Sequence, residues 1–229
     1  MTVDLAAWLS EEARSEDRQA ELRQAFLAHP MRILVIDGIL RPERAQRVFE
    51  KLEGTRFIRD FGTYAEVRVS EEVYNAAGTT ERFYRYGVVE RTGPRAKKKV
   101  GRTVASLLDF MESDSLRDFI STLTATPLGK SEPANLHAMG PGDFLRPHND
   151  RNDGRRFATV MYLNQRWAPS WGGSLRFLGD GGFFGIEPRF NRLVCFDVNT
   201  HVSHHIDAMK DGPPEQKRYS AGTWFHDPA

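Results

Sequence analysis

A single cysteine, Cys195, stands in the whole chain, so no internal disulfide can form and packing has to stabilise the fold. Sparse cysteine fits a reducing compartment, and a cytoplasmic location is the expectation. Neither sign of charge dominates: 32 Lys and Arg face 31 Asp and Glu, a net charge of +1. That balance carries no global footprint for nucleic acid or an anionic membrane, and neither partner is expected. Long apolar runs are missing too. The opening segment MTVDLAAWLSEE carries Asp4, Glu11 and Glu12, which is not the pattern of a signal peptide or a membrane anchor. There is no internal repeat and no low-complexity tract. What remains is a chain of 229 residues, 40% of them hydrophobic, enough for one good core in a monomer or homodimer.

Apolar spacing divides the chain into two textures. Leu5, Trp8 and Leu9, then Leu22 and Phe26, predict a helix over residues 4–28, ended by His29-Pro30. Arg32 to Ile36 reads as a short strand. Residues 42–53 give a clear helix, with Pro42 in the first turn, a stripe of Ala45, Val48, Phe49 and Leu52, and Gly54 as the stop. A polar, aromatic-dotted stretch to about residue 90 predicts strands and loops. A basic run from Arg91 to Arg102 follows, and then a helical pair. In its second member a capping box from Ser115 to Asp118 precedes the stripe Leu116, Phe119, Ile120 and Leu123. After Thr126-Pro127 the helical period gives way to short apolar runs: 157–163, 175–178, 193–196 and 219–225. Gly172-Gly173 and Gly181-Gly182 look like turn sites. Many short strands in that span predict a sandwich or barrel. The expected fold class is α+β, with N-terminal helices flanking a C-terminal β-core.

The segment Arg146-Pro147-His148-Asn149-Asp150 carries the first candidate chemistry. His148 and Asp150 are two apart, so on an extended segment they share a face. With one more histidine they would make a two-histidine, one-carboxylate face, the ligand set of non-haem Fe(II) oxygenases. Taken alone, His-x-Asp is also what a polar surface loop contains. His201, His204 and His205 are the candidate third ligands. His204 and His205 point to opposite faces of an extended segment, and spacing alone leaves all three open.

Residues 217–225 read as a strand. Arg218, Ser220, Gly222 and Trp224 lie on one face, and Tyr219, Ala221, Thr223 and Phe225 on the other. An inward Arg and Ser can grip a carboxylate, whereas an edge-strand Arg in a surface ion pair is the commoner circumstance. Tyr162 alternates with Ala158 and Val160, small neighbours that leave room for a ligand. It equally suits a core tyrosine with a satisfied hydroxyl.

These segments together resemble the prolyl 4-hydroxylase-like branch of the 2-oxoglutarate/Fe(II)-dependent dioxygenases. The resemblance runs through His148-Asn149-Asp150, the strand Val160-Met161-Tyr162-Leu163-Asn164, Trp167 and Gly172-Gly173. It continues through the segment from Glu187 to Phe196, His204-His205-Ile206 and Arg218-Tyr219-Ser220. It covers residues 135–226 well and residues 31–55 loosely. It implies a double-stranded β-helix (jelly-roll, cupin-like) core over 126–229, supported by residues 1–125 in one domain. It implies Fe(II) on His148, Asp150 and His204, with 2-oxoglutarate and O₂ as co-substrates and ascorbate as an accessory reductant. Arg218 and Tyr162 would hold the far carboxylate of 2-oxoglutarate, with Ser220 and Trp224 lining the same pocket. The reaction implied is hydroxylation of an unactivated carbon with release of succinate and CO₂. The substrate would be a prolyl residue of a protein, or else a free amino acid or natural-product intermediate. One departure is a tyrosine that many relatives carry shortly before the first ligand: Met139 and His137 occupy that neighbourhood here. Two rivals remain. A zinc hydrolase would use the same ligand types but has no need of Arg218. A non-catalytic cupin-like module would give no turnover.

Overall fold

The computed structural model describes residues 2–89, 100–152, 154–179, 182–210, 212 and 216–228. In chain order the helices and strands begin with α1 (Glu11–Arg14), α2 (Glu16–Ala28), β1 (Ile33–Asp37), α3 (Pro42–Glu53), β2 (Ile58–Thr63), α4 (Glu71–Ala76) and β3 (Arg82–Val89). Next come α5 (Arg102–Met111), α6 (Asp114–Thr124), β4 (Asn135–Met139), β5 (Phe144–His148) and β6 (Arg155–Tyr162). The chain then runs through β7 (Leu175–Gly179), β8 (Gly182–Ile186), β9 (Arg192–Asp197), β10 (Ser203–Ile206) and β11 (Arg218–His226).

The strands form one curled antiparallel sheet in the order β1-β9-β6-β11-β4-β3-β5-β10-β7-β8, with β2 paired to β3. The strand β3 is the corner. Its Val88 pairs with His137 of β4, whereas its Tyr84 pairs with Leu145 of β5. On one side of the corner lies the β1-β9-β6-β11-β4 half, and on the other the β5-β10-β7-β8 half. They are the two walls of a double-stranded β-helix.

Alternation along the strands sorts residues between two cores. Leu34, Ile36, Phe157, Met161, Leu193, Cys195, Tyr219, Ala221 and Phe225 join the helical core with Trp8, Leu22, Phe26, Val48, Leu107 and Ile120. Their strand neighbours Ile33, Ala158, Tyr162, Val194 and Phe196 pack inward against Phe177 and Leu175 of the opposite wall. Each fully buried Leu, Ile or Phe stabilises the fold by roughly 1.5–3 kcal/mol, so the helices act as a lid on the outer face of the first wall. No helix among the described residues is long and apolar enough to cross a membrane.

Several expectations are met closely: α3 spans the predicted residues 42–53, and the four C-terminal runs become β6, β7, β9 and β11. Others need correction. The predicted helix over 4–28 is broken into a 3-10 turn at Leu5–Ala7, α1 and α2. Ser10 and Ser15 take extended backbone, and their hydroxyls accept from the N–H groups of Ala13 and Arg18, restarting the helix each time. The cap of α6 is Ser113, which accepts from Leu116 N–H; Ser115 instead donates to the Val3 carbonyl. The short helix α4 lies inside the stretch expected to hold only strands and loops. The basic run from Arg91 lies outside the described residues as far as Lys99, and so does Gly181.

Candidate metal centre

His148 ends β5 and His204 lies in β10, and the two are direct cross-strand partners. Direct partners in an antiparallel pair present their side chains to the same face, and here the imidazoles sit 4.3 Å apart between ring centroids. Asp150 follows two residues after His148. Its Oδ1 is 3.7 Å from His148 Nε2, and its Oδ2 is 3.3 Å from His204 Nε2. One donor atom from each of the three lies within 4.8 Å of the others. Donors so spaced can share one ion at bonds of about 2 Å.

Each imidazole is held by its far nitrogen. His148 Nδ1 lies 2.8 Å from the Arg146 carbonyl oxygen. A carbonyl only accepts, so Nδ1 carries the hydrogen and the Nε2 lone pair faces Asp150. His204 Nδ1 lies 3.0 Å from Nε2 of the buried His201. Burial and then the neighbouring His204 bring the pKa of His148 down to about 4, so that it is neutral and ligand-competent near pH 7. Burial opposes ionisation of Asp150, but its hydrogen bond to His204 and the charges of both histidines hold its pKa at about 2. The Trp224 indole N–H helps hold that carboxylate low, yet it is buried short of full hydrogen-bond geometry with any partner among the described residues. Two imidazoles, that of His148 neutral near pH 7, around an ionised carboxylate are a donor set suited to a divalent first-row ion.

Of the other candidate ligands, His201 braces His204 and its ring is packed 5.2 and 5.5 Å from Phe177 and Phe196. His205 turns the other way, to Asp207 Oδ1 at 3.2 Å.

Arg218 occupies the opposite wall. It is 1% exposed, and among the described residues no carboxylate pairs with it. Its Nε donates to the Gly173 carbonyl at 2.7 Å, Nη1 to Ser220 Oγ at 3.2 Å, and Nη2 to Tyr162 Oη at 3.1 Å. The Met139 sulfur lies 3.6 Å from Nη1, and the guanidinium carbon is 4.8 Å from the centre of the Tyr162 ring. Burial presses the Arg218 pKa down, with Tyr162 working against it. A buried cation without an anion is expensive unless a ligand supplies one. Gly172 and Gly173 make the cradle possible. Both have positive φ, and a Cβ on Gly173 would meet Met209 Sδ at 2.6 Å and Arg218 Cδ at 3.0 Å.

The structure therefore brings Tyr162, Ser220 and Arg218 together and sets Trp224 beside Asp150. It also brings in two groups for which spacing gave no role. His137 is the cross-strand partner of both Ser220 and Val88, so it shares the inner face. Tyr86 lies 4.7 Å from it, ring centre to ring centre. The alternation of Tyr84, Tyr86 and Val88 was the available signal for Tyr86.

Comparison with known proteins follows the same division. Residues 134–226 match the family model described as the 2OG-Fe(II) oxygenase superfamily. The chain is similar to the Xenopus laevis protein named Prolyl 3-hydroxylase OGFOD1, 35% identical over 121 residues, or 49% of this chain and 23% of that protein. It is 29% identical over 94 residues to the Mus musculus protein of the same name, covering 38% of this chain and 17% of that one. The matches thus span less than a quarter of these relatives' length. Among solved structures, a Pseudomonas putida prolyl-4-hydroxylase superposes with a TM-score of 0.62 at 21% identity, covering 92% of this chain and 100% of that one. A Trichoplax adhaerens prolyl hydroxylase in complex with a hypoxia inducible factor peptide fragment gives 0.65 at 17%, covering 93% and 90%. At those identities the likeness speaks for the fold, which is the double-stranded β-helix.

Proposed function

We propose, on the premise that the chain belongs through residues 134–226 to the 2OG-Fe(II) oxygenase superfamily, that it hydroxylates an unactivated carbon using Fe(II), 2-oxoglutarate and O₂. Succinate and CO₂ are the co-products. The favoured substrate is a prolyl residue of a protein; a free amino acid or natural-product intermediate is the alternative. The functional unit is taken as one domain, with residues 1–125 supporting the core at 126–229.

One observation carries the reading. Arg218 is a buried guanidinium with donors to spare and no carboxylate partner among the described residues, in a wall facing a His-Asp-His cluster. A zinc hydrolase has no use for such a group, while a dicarboxylate that chelates a metal at one end needs one at the other. His148, Asp150 and His204 would hold the iron. Arg218 and Tyr162 would take the far carboxylate of 2-oxoglutarate, the guanidinium by charge-assisted hydrogen bonds and the phenol by donating its O–H. The hydroxyl of Ser220 fixes the guanidinium plane, and the carbonyl of Gly173 anchors its Nε. The bound iron supplies the redox chemistry that activates O₂ at the expense of the 2-oxo acid. The chain supplies orientation and dryness: Phe177 and Phe196 pack behind His204, 5.8 and 5.1 Å from its ring.

A peptidyl substrate is supported by the rim. Tyr64, 55% exposed, stacks on Phe83 at 5.0 Å, and Phe83 meets the His148 ring edge-on at 5.5 Å. Apolar groups open to solvent beside a metal centre suit a chain segment laid across the mouth. The similar proteins, which are named as prolyl hydroxylases, point the same way.

The test is anaerobic addition of Fe(II) and 2-oxoglutarate, where a visible charge-transfer band reports the chelate. Absence of the band in the wild-type protein would sink the proposal. Succinate release with proline peptides against free proline then separates the substrate classes.

A further inference from the structure

The corner strand β3 passes from β4 to β5 between Val88 and Tyr84. Tyr86 sits at that fork. On its β4 side the inner-face row runs Val88, His137, Ser220, Tyr162, from strand to strand, with Arg218 beside it. On its β5 side lie Leu145, the cross-strand partner of Tyr84, and, three residues further on, His148. Tyr86 thus stands where the wall bearing the guanidinium gives way to the wall bearing the metal cluster.

Its ring is fixed on both faces. It stacks on Tyr84 at 4.6 Å with an interplanar angle of 12°, and it lies tilted on His137 at 4.7 Å. The hydroxyl of Tyr84 accepts from Arg68 N–H. By contrast, neither the hydroxyl of Tyr86 nor the imidazole of His137 has a hydrogen-bond partner among the described residues. Both are half-buried. Burial and the charge of Arg218 bring the pKa of His137 to about 4, so it adds no second positive charge beside the guanidinium. Burial drives the Tyr86 phenol upward, with the Asp150 carboxylate among the charges that add to this, so it stays a neutral donor. A half-buried phenol without a protein partner keeps its O–H free to donate to a ligand with acceptor oxygens at this place.

We infer that Tyr86, braced by His137, is a positioning residue for the 2-oxo acid: its hydroxyl donates to the chelating carboxylate end, as Arg218 and Tyr162 hold the distal end. The assignment rests on the proposed co-substrate. It concerns a strand outside residues 134–226, where the family model matches. It supplies a hydrogen-bond donor that β4, with Met139 and His137 in that region, does not.

The experiment compares two ligands on Mn(II)-loaded protein without O₂. 2-Oxoglutarate has both ends; succinate keeps a distal carboxylate but lacks the 2-oxo acid. In Tyr86→Phe the affinity for 2-oxoglutarate should fall about tenfold or more, the size expected for a hydrogen bond to a charged group. Affinity for succinate and for Mn(II) should not change. Arg218→Ala should weaken both ligands. Tyr84→Phe, which removes a hydroxyl from the adjacent ring, should leave both as in the wild type. The inference is overturned if Tyr86→Phe binds 2-oxoglutarate like the wild type, or if it loses both ligands equally, as a loosened wall would. Wild-type protein that binds neither ligand overturns the proposed function itself, and the inference with it.

Discussion

His201 Nε2 lies 3.0 Å from His204 Nδ1, with both rings buried against Phe177 and Phe196. If His204 is to offer Nε2 to a metal, its Nδ1 must carry the hydrogen, and His201 Nε2 is then the acceptor. Partners of this kind typically change metal affinity by about 10–100-fold when removed. His201→Ala is therefore expected to weaken Mn(II) or Fe(II) binding within that range, and His201→Gln, which restores an acceptor oxygen, to recover part of it. His205→Ala should bind metal normally, because His205 pairs with Asp207 instead. Metal titration followed by electron paramagnetic resonance measures all three; wild-type affinity in His201→Ala would remove His201 from the centre.

Arg218 poses a conflict between stability and binding. Among the described residues its charge is buried against neutral partners only. Replacing a buried charge that no anion offsets with an apolar side chain of similar length removes its desolvation cost, which outweighs the hydrogen bonds lost to neutral partners. Arg218→Met should therefore melt at the same or a higher temperature than the wild type when no ligand is present. The wild type should gain stability on adding 2-oxoglutarate with Mn(II), and the variant should gain nothing. Thermal denaturation with and without ligand decides it. A ligand-free variant that is much less stable would mean that Arg218 serves the fold first.

Much of this centre was legible in the sequence because strand alternation is local. Knowing that Arg218 and Ser220 share a face needs only a period of two, and the same rule put Tyr219, Ala221 and Phe225 on the helical side. The choice among His201, His204 and His205 was not available from spacing, and in the structure His201 is hydrogen-bonded to His204. The role of Tyr86 was hidden for a different reason. Alternation tells which face a residue takes but not which strands flank it, and β3 changes partner from β4 to β5 within a few residues. The broken N-terminal helix shows the limit of apolar spacing. Leu22 and Phe26 do lie buried on one face, yet Ser10 and Ser15 each divert the backbone by capping the next turn.

Gly172 has φ 74° and ψ −150°, a region essentially closed to other residues, and a Cβ there would run into the Ala208 carbonyl oxygen. Gly172→Ala should destabilise the protein by about 2–4 kcal/mol. Because the next carbonyl, that of Gly173, holds Arg218 Nε, the same change should weaken 2-oxoglutarate binding in whatever protein still folds. Urea denaturation and ligand titration test the two effects separately. Unchanged stability would show that the turn tolerates a side chain.

Glu132 ties the far end of β11 to β6. It receives Arg155 Nε and Nη2, both at 2.6 Å, and His226 Nε2 at 2.9 Å, while the Arg155 guanidinium lies 4.0 Å over the Trp224 ring. Burial raises the Glu132 pKa, but the hydrogen bonds and charges of Arg155 and His226 outweigh it, and the net shift is downward. A carboxylate with a depressed folded pKa stabilises the fold fully above its unfolded pKa of about 4.3, and that contribution fades as pH falls through the lower folded value. Glu132→Gln should therefore cost about 1 kcal/mol at pH 7, a figure kept small because the pair is partly open to solvent. The gap to the wild type should narrow as pH drops below about 4.3. Urea denaturation of both proteins from pH 7 to pH 3 gives the curve. A gap that stays constant across that range would mean that Glu132 contributes through packing rather than through its charge.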